Sequence, residues 1–432
     1  MSFRTSVIRA ALFVFMLAAS AQAQDLAPPQ LSAQTSAPPG ADSNSLLAAA
    51  TAGDAQAQFA LGNFYFQGRY ATLNYAQAVA WYRKSAAQGY APAQNQLGTM
   101  CQHNLGLPED YKSAVNYYRL AANQGYALAE YHLAGMYKAG LSVHRDYKQA
   151  FSWYSKAAAQ NLGDAEEELG YFYQSGQGVK RDYAQAIAWY TRAANHGDSD
   201  AENQLGFLAE QGWGQPQNYA EALSWFSKAA AQGNAQAQEN RGFIYQHGGP
   251  GVPVDYAKAM SLFIQAAVQG NGDAENQIGW MYQYGQGVQQ DDSRAMTWYQ
   301  LSADQGNVNG ENNVEDFTSD LEEDGDYQNA TLAVHDAAAE QARRWADIRN
   351  LQARIDGVEA DAQYQEDIAA QLEAMNKGKT DGISKIFKAI GTVGAEKYHI
   401  QAANDRDEAA RLRDQLAALE NQPQSAATIN TP

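Results

Sequence analysis

Four aromatic residues occupy one place in a periodic sequence: Tyr171, Phe207, Phe243 and Trp280. Three residues beyond each stand Gln174, Glu210, Gln246 and Gln283. Aromatic rings beside polar groups are the material of binding hot spots, because a ring buries much area while its polar neighbours give direction. On one face of stacked helices the series would form a stripe able to hold a peptide or a helix. The same positions also suit packing between repeats, and the sequence leaves both readings open.

Residues with catalytic potential do not assemble into a site. The seven histidines are His103, His132, His144, His196, His247, His335 and His399, and none forms an H-E-x-x-H or a short metal pair. The pairs Gly176-Gln177-Gly178 and Gly285-Gln286-Gly287 lack a preceding strand and a following Lys-Ser/Thr, so they read as turns, not phosphate loops. Asp320, Glu322, Asp324, Gly325 and Asp326 resemble the start of a calcium loop. Thr331 stands where a bidentate Glu is needed, and the stretch reads as a solvated acidic loop. The single cysteine, Cys101, excludes an intramolecular disulfide and reads as a small buried hydrophobe. No catalytic constellation and no cofactor or metal site is expected, and the chain reads as non-enzymatic.

The elements that carry the stripe repeat along the chain. In the stretch from Gly163 to Gly197, Asp164 can cap a first helix whose apolar positions are Ala165, Leu169, Phe172 and Tyr173. The glycines at 176 and 178 break it. Asp182 can cap a second helix with Tyr183, Ala186, Ile187, Tyr190 and Ala194 on its apolar stripe, ended by Gly197. Alanines recur at Ala57, Ala93, Ala129, Ala165, Ala201, Ala237 and Ala274, a step of 36 residues and once 37. The alanines from Ala78 to Ala295 and from Ala86 to Ala303 follow the same steps. Small residues let helices approach closely, and Trp81, Trp153, Trp189, Trp225 and Trp298 fill the space between. One such helix pair cannot bury its apolar face alone, so the copies must stack.

The pattern resembles the Sel-one-like repeat family, a branch of the tetratricopeptide class. Its motif is carried by Ala165, Leu169, Gly170, Tyr173, Gly176, Gly178, Val179, Asp182, Tyr183, Ala186, Trp189, Tyr190, Ala193, Ala194 and Gly197, and the resemblance covers roughly residues 45 to 306. Local departures are Cys101 and Ala209 in place of Tyr, Asn161 in place of a terminal Gly, and Leu262 in place of Trp. The resemblance implies an all-α, right-handed α/α solenoid of about seven repeats, with the first-helix face tending to be concave. It also implies adaptor or regulatory roles at a bacterial cell envelope. The penicillin binding linked to cysteine-rich members does not carry over, since this chain lacks their cysteine pairs.

Composition narrows the partners. The net charge of -18 argues against nucleic acid or an anionic membrane as the main partner, and leaves basic or neutral proteins and peptides. Residues 1–23 read as a signal peptide: Arg4 and Arg9, an apolar run from Ala10 to Ala19, then the Ala21-Gln22-Ala23 cleavage site. Removing them takes two bases and no acid, from -18 to -20. No later segment reads as transmembrane. The mature chain is therefore expected outside the inner membrane, in the periplasm if the source is Gram-negative.

Residues 24–44 form a Pro/Ala/Ser/Gln tether, and 45–317 the solenoid, with 45–53 as its N-terminal cap. An eighth, degenerate repeat runs on from Asn312, through an acidic loop from Glu315 to Asp326, into Tyr327 and Ala330. From there a long helix continues through Trp345, Ile348, Leu351, Ile355 and Val358, then Ile368, Leu372 and Met375. The stretch 378–394 interrupts it, and a second helix carries Tyr398, Ala402, Ala409, Leu412, Leu416 and Leu419. These C-terminal helices, within 318–420, read as a coiled-coil-like antiparallel hairpin or as a seam for self-association. The basic segment with Ile383, Ile386, Phe387 and Ile390 reads as the hairpin tip, and 421–432 as a disordered tail. The leading function is an exported scaffold holding a protein or peptide on the stripe. The alternatives are an envelope enzyme or modulator of a cell-wall-acting enzyme, and a coiled-coil arm displaying solenoids.

Overall fold

The computed structural model describes residues 43–67, 74–322, 327–376 and 402–418. The stretches expected to form the signal peptide, most of the tether, the centre of the acidic loop, the hairpin tip and the tail lie outside these residues. The chain forms two compact units, residues 1–162 and 163–432. Both are built from consecutive helix pairs that pack on their neighbours, an α/α solenoid arrangement, with no strand among the described residues.

The first unit comprises α1 (Ser43–Thr51), α2 (Ala55–Gln67), α3 (Tyr75–Ala87), α4 (Ala91–Gln102), α5 (Tyr111–Ala122), α6 (Ala127–Ala139) and α7 (Tyr147–Ala158). Helix α1 buries Leu46 and Ala50 against Ala57 and Leu61, closing the first pair. Cys101 is buried and free, and burial pushes its thiol above the usual range.

The second unit comprises α8 (Gly163–Ser175), α9 (Tyr183–Asn195), α10 (Ser199–Gln211), α11 (Tyr219–Ala231), α12 (Ala235–His247), α13 (Tyr256–Val268), α14 (Gly272–Gln283) and α15 (Asp292–Asp304). The degenerate pair is α16 (Val308–Glu322) and the start of α17 (Tyr327–Asn376). A further helix, α18, spans residues 402–418. The acidic stretch expected to be a loop from Glu315 is helical as far as Glu322. Nothing between Gly310 and Gly325 breaks a helix.

Local chemistry explains the element boundaries. Every second helix of the seven repeats starts on a side-chain cap: Asn74, Asp110, Asp146, Asp182, Asn218, Asp255 and Asp291 each accept from a backbone N–H of the first turn. Each cap contributes about 1 kcal/mol. Asp198, Asn234 and Asn271 cap their first helices in the same way. Asp164, expected as a cap, instead lies inside the first turn of α8, two residues beyond the place those caps occupy. Asn161 takes the left-handed conformation (φ 61) where other repeats use glycine, which its short amide side chain tolerates.

The core of every regular pair but the third is a ring laid on a glycine. Tyr190 is fully buried, and a Cβ on Gly170 would sit 2.6 Å from its ring. Gly98 and Tyr118, Gly206 and Phe226, Gly242 and Phe263, and Gly279 and Tyr299 repeat the contact. The neighbouring tryptophans are only part-buried, and a cation i+3 on the same helix covers the ring. Lys84 lies 3.9 Å from the Trp81 centroid, Lys156 3.6 Å from Trp153, Arg192 4.6 Å from Trp189 and Lys228 3.8 Å from Trp225.

In the seventh repeat α17 supplies the cover: Trp345 packs on Trp298 at 5.1 Å, and Arg349 Nη1 donates to Val268 O at 2.7 Å. Helix α18 pairs with α17 in antiparallel sense, through Arg406 with Glu366 and Arg413 with Glu359. Ile355, Ala362, Ala402, Ala409 and Leu412 are buried along these two helices. The side chains of Ile368, Leu372 and Met375, and all of Tyr398, fall outside the described residues.

Candidate functional site

The first helices carry the stripe, and their register is fixed by side-chain amides. Asn240 donates to Asn203 at 3.0 Å, joining α12 to α10, and Asn313 donates to Asn276 at 2.7 Å, joining α16 to α14. In the first unit His132 and Asn95 make the equivalent bridge at 2.8 Å between α6 and α4. Burial, with His103 nearby, lowers His132 to about 4, so its imidazole is neutral at pH 7. Each bridge spans 37 residues, one repeat plus one, which sets neighbouring first helices side by side.

One helical turn beyond these amides come the aromatic positions. They are not equally open. Phe207 is 3% exposed and meets Trp213 edge-on at 5.4 Å, while Trp213 packs on Tyr183 at 5.1 Å. Tyr171 is part-buried and its hydroxyl accepts from Gln177 Nε2 at 3.4 Å. Phe243 is part-buried and stacks on His247 at 4.0 Å. Trp280 is 40% exposed and lies 4.4 Å from Tyr284, which is 55% exposed. The open part of the stripe is therefore two aromatic pairs on adjacent first helices, Phe243 with His247 and Trp280 with Tyr284.

The polar series sits elsewhere. Gln174 is buried and accepts the Tyr190 hydroxyl at 2.6 Å, and Gln283 accepts that of Tyr299 at 2.7 Å. Gln246 is buried and donates to Gln286 at 2.9 Å. Glu210 is buried, and its backbone carbonyl accepts from Gln217 at 2.8 Å. Gln174, Gln246 and Gln283 turn towards the second helices and loops. The sequence did not single out His247, Tyr284 or the bridging asparagines. The available signal was a second ring four residues beyond Phe243 and Trp280.

The motif residues Ala165, Leu169, Ala186 and Gly170 are buried and Tyr173, Trp189 and Ala194 part-buried. No group of three or more His, Cys, Asp or Glu able to hold a metal occurs among the described residues. No described helix is long and apolar enough to cross a membrane.

A solenoid of capped helix pairs, all but the third closed by a ring on a glycine, defines a helical-repeat protein. The chain belongs to the Sel1 repeat family, whose model matches residues 55–90, 91–126, 127–162, 163–198, 199–234, 235–271 and 272–307. Proteins of this family are generally protein-interaction scaffolds and generally non-catalytic. Two solved structures are similar. The first is c5321, a protective antigen present in uropathogenic Escherichia coli strains displaying an SLR fold. It is 25% identical with a TM-score of 0.58, over 91% of this chain and 100% of that one. The second is a Sel1 repeat protein from Oxalobacter formigenes, 29% identical with a TM-score of 0.53, over 57% of this chain and 96% of that one. Comparison with curated proteins gives no match.

Proposed function

We propose that this chain is an exported, non-enzymatic scaffold that holds a protein or peptide partner on the first-helix face of its second unit, in cell-envelope signalling or assembly. The observation that carries the reading is the Trp280–Tyr284 pair, two large rings stacked together and left open on a helix whose other large apolar side chains are buried. Open aromatic pairs at a repeated position are what a binding face requires, and nothing in the packing of the repeat needs them exposed. Export is supported by the basic, apolar and Ala-x-Ala order of residues 1–23. The antigen c5321, similar over most of both chains, fits such a setting. The two ion pairs between α17 and α18 favour an internal hairpin over an arm that displays solenoids.

The test is capture from a native envelope extract by the full chain and by its Trp280→Ala/Tyr284→Ala variant, with captured proteins identified by mass spectrometry. Circular dichroism confirms equal helicity. Loss of one specific partner by about tenfold or more, the scale of a hot-spot residue, supports the reading. Equal capture by both chains removes the first-helix face as the binding site.

A further inference from the structure

Acidic residues gather on the first helices of the repeats in the second unit. In the second unit, α8, α10, α12, α14 and α16 contain a single Lys or Arg between them, Arg241, while acidic residues occur on all five. The second helices α9, α11, α13 and α15 each contain one base, Arg192, Lys228, Lys258 and Arg294, and only three acids between them, Glu221, Asp292 and Asp304. The acids do not all lie at helix starts, where the helix dipole alone would account for them. Glu167 and Glu168, both part-buried, precede Tyr171 by one turn. Asp316 is exposed one turn beyond Asn313, whose bridge to Asn276 sets it beside the helix of Trp280.

Asp316 thus brings an exposed carboxylate to the side of the helix that carries the aromatic pair. On the second helices the part-buried tryptophans Trp81, Trp153, Trp189 and Trp225 are covered by Lys or Arg. Trp280 differs from these four: it is exposed, stacked by Tyr284, and has no cation over it among the described residues. A ring face set in a negative field attracts a cation twice, through its quadrupole and through the surrounding carboxylates.

Building on the scaffold reading above, we infer that the partner segment is basic: a peptide whose Lys or Arg seats over Trp280, with an apolar side chain beside Tyr284 and further cations towards Glu168 and Asp316. Charge complementarity sets the choice of partner and the rate of encounter, and the aromatic pair supplies the anchor.

The probes are three synthetic peptides of equal length: one alternating Lys and Leu, one with every Lys replaced by Glu, and one with every Leu replaced by Ser. Binding to the full chain is read by fluorescence anisotropy. The Lys/Leu peptide is expected to bind, and to weaken about tenfold or more as salt rises from about 0.05 to about 0.5 M. It should also weaken about tenfold in Trp280→Ala/Tyr284→Ala, the scale of a hot-spot residue. Glu168→Gln/Asp316→Asn should flatten the salt dependence while leaving the rings in place. The Lys/Ser peptide should bind more weakly than the Lys/Leu peptide.

Equal or tighter binding of the Glu peptide overturns the inference. So does Lys/Leu binding that survives loss of both rings, or the absence of any binding. If the extract experiment still yields a partner through Trp280 while the peptides show no preference for Lys, the scaffold reading stands and only the charge chemistry falls. If neither depends on Trp280, both fall.

Discussion

The hydroxyl of Tyr190 donates to Gln174 Oε1 at 2.6 Å, across the two helices of one repeat and out of contact with water. Tyr118 with Gln102 at 2.8 Å and Tyr299 with Gln283 at 2.7 Å repeat the bond. A buried tyrosine must place its hydroxyl somewhere, and the amide nine residues after the repeat's first alanine is where it goes. Gln174→Leu leaves the hydroxyl without that acceptor, which should cost about 1–3 kcal/mol. Urea titration followed by circular dichroism should show a lower midpoint with an unchanged slope. Adding Tyr190→Phe should recover most of the loss.

Where the second helix carries phenylalanine, the same geometry runs in reverse. Phe263 is fully buried opposite Gln246, whose Oε1 is buried with no hydrogen-bond partner among the described residues. Phe263→Tyr would bring a donor to that oxygen. We expect it to be neutral or stabilising by about 0.5–1.5 kcal/mol, the net worth of a hydrogen bond. A melting temperature lowered by several degrees would show that the hydroxyl does not reach Gln246.

Much of this was legible in the sequence, because repeat architecture is local. The 36-residue step, the caps such as Asp182 and the asparagine standing in for glycine at Asn161 all follow from residues near one another in the chain. The open face was harder to read. Relative to Tyr171, a residue three further turns about 60° to one side, and one four further about 40° to the other. Both fit a shared face by spacing alone, and only the position of the second helix decides between them. It draws Gln174 and Gln283 inward to tyrosines and leaves Tyr284 outside. The closure of Phe207 depends on Trp213, a loop residue with no counterpart ring in the repeat of Tyr171, where Gln177 stands.

Gly170 tests the close approach directly. An added Cβ would meet Tyr190 Cδ1 and Cε1 at 2.6 Å each, and that ring is held by core on every side. The helix-propensity gain of Gly→Ala, up to about 1 kcal/mol, should be outweighed by overpacking of about 1–3 kcal/mol. The third repeat carries Ala134 at this place, and there Lys138 replaces the glutamine that would fix the tyrosine. Gly170→Ala should therefore lower the unfolding midpoint, and combining it with Tyr190→Leu should restore part of it.

The last prediction concerns a seam of buried polar pairs and the repeat where the pairing fails. One residue after the repeat's first alanine, Gln58, Gln94, Glu130, Glu202 and Gln238 are buried. Each accepts an amide hydrogen at 2.8–2.9 Å from Gln88, Gln124, Gln160, Gln232 and Gln269 respectively. Glu166 is met instead by Arg192 at 2.6 Å and His196 at 3.5 Å. Glu275 is fully buried, and neither carboxyl oxygen has a hydrogen-bond partner among the described residues. Burial pushes its carboxyl from 4.5 up to about 8, with Arg349 pulling down and Asp304 pushing up. The folded chain thus holds a proton here that the unfolded chain releases near 4.5. Stability from this site is complete below that pH, falls as pH rises, and reaches its full penalty above about 8. Glu275→Gln removes the titration. It should leave stability at pH 4 nearly unchanged and raise it at pH 9 by roughly 2–4 kcal/mol. Arg349→Ala should steepen the loss in the Glu275 chain, because the cation that favours the ionised form is gone. Parallel unfolding curves for the parent and Glu275→Gln chains from pH 4 to pH 9 would mean that Glu275 ionises freely and that its carboxylate reaches water or a cation.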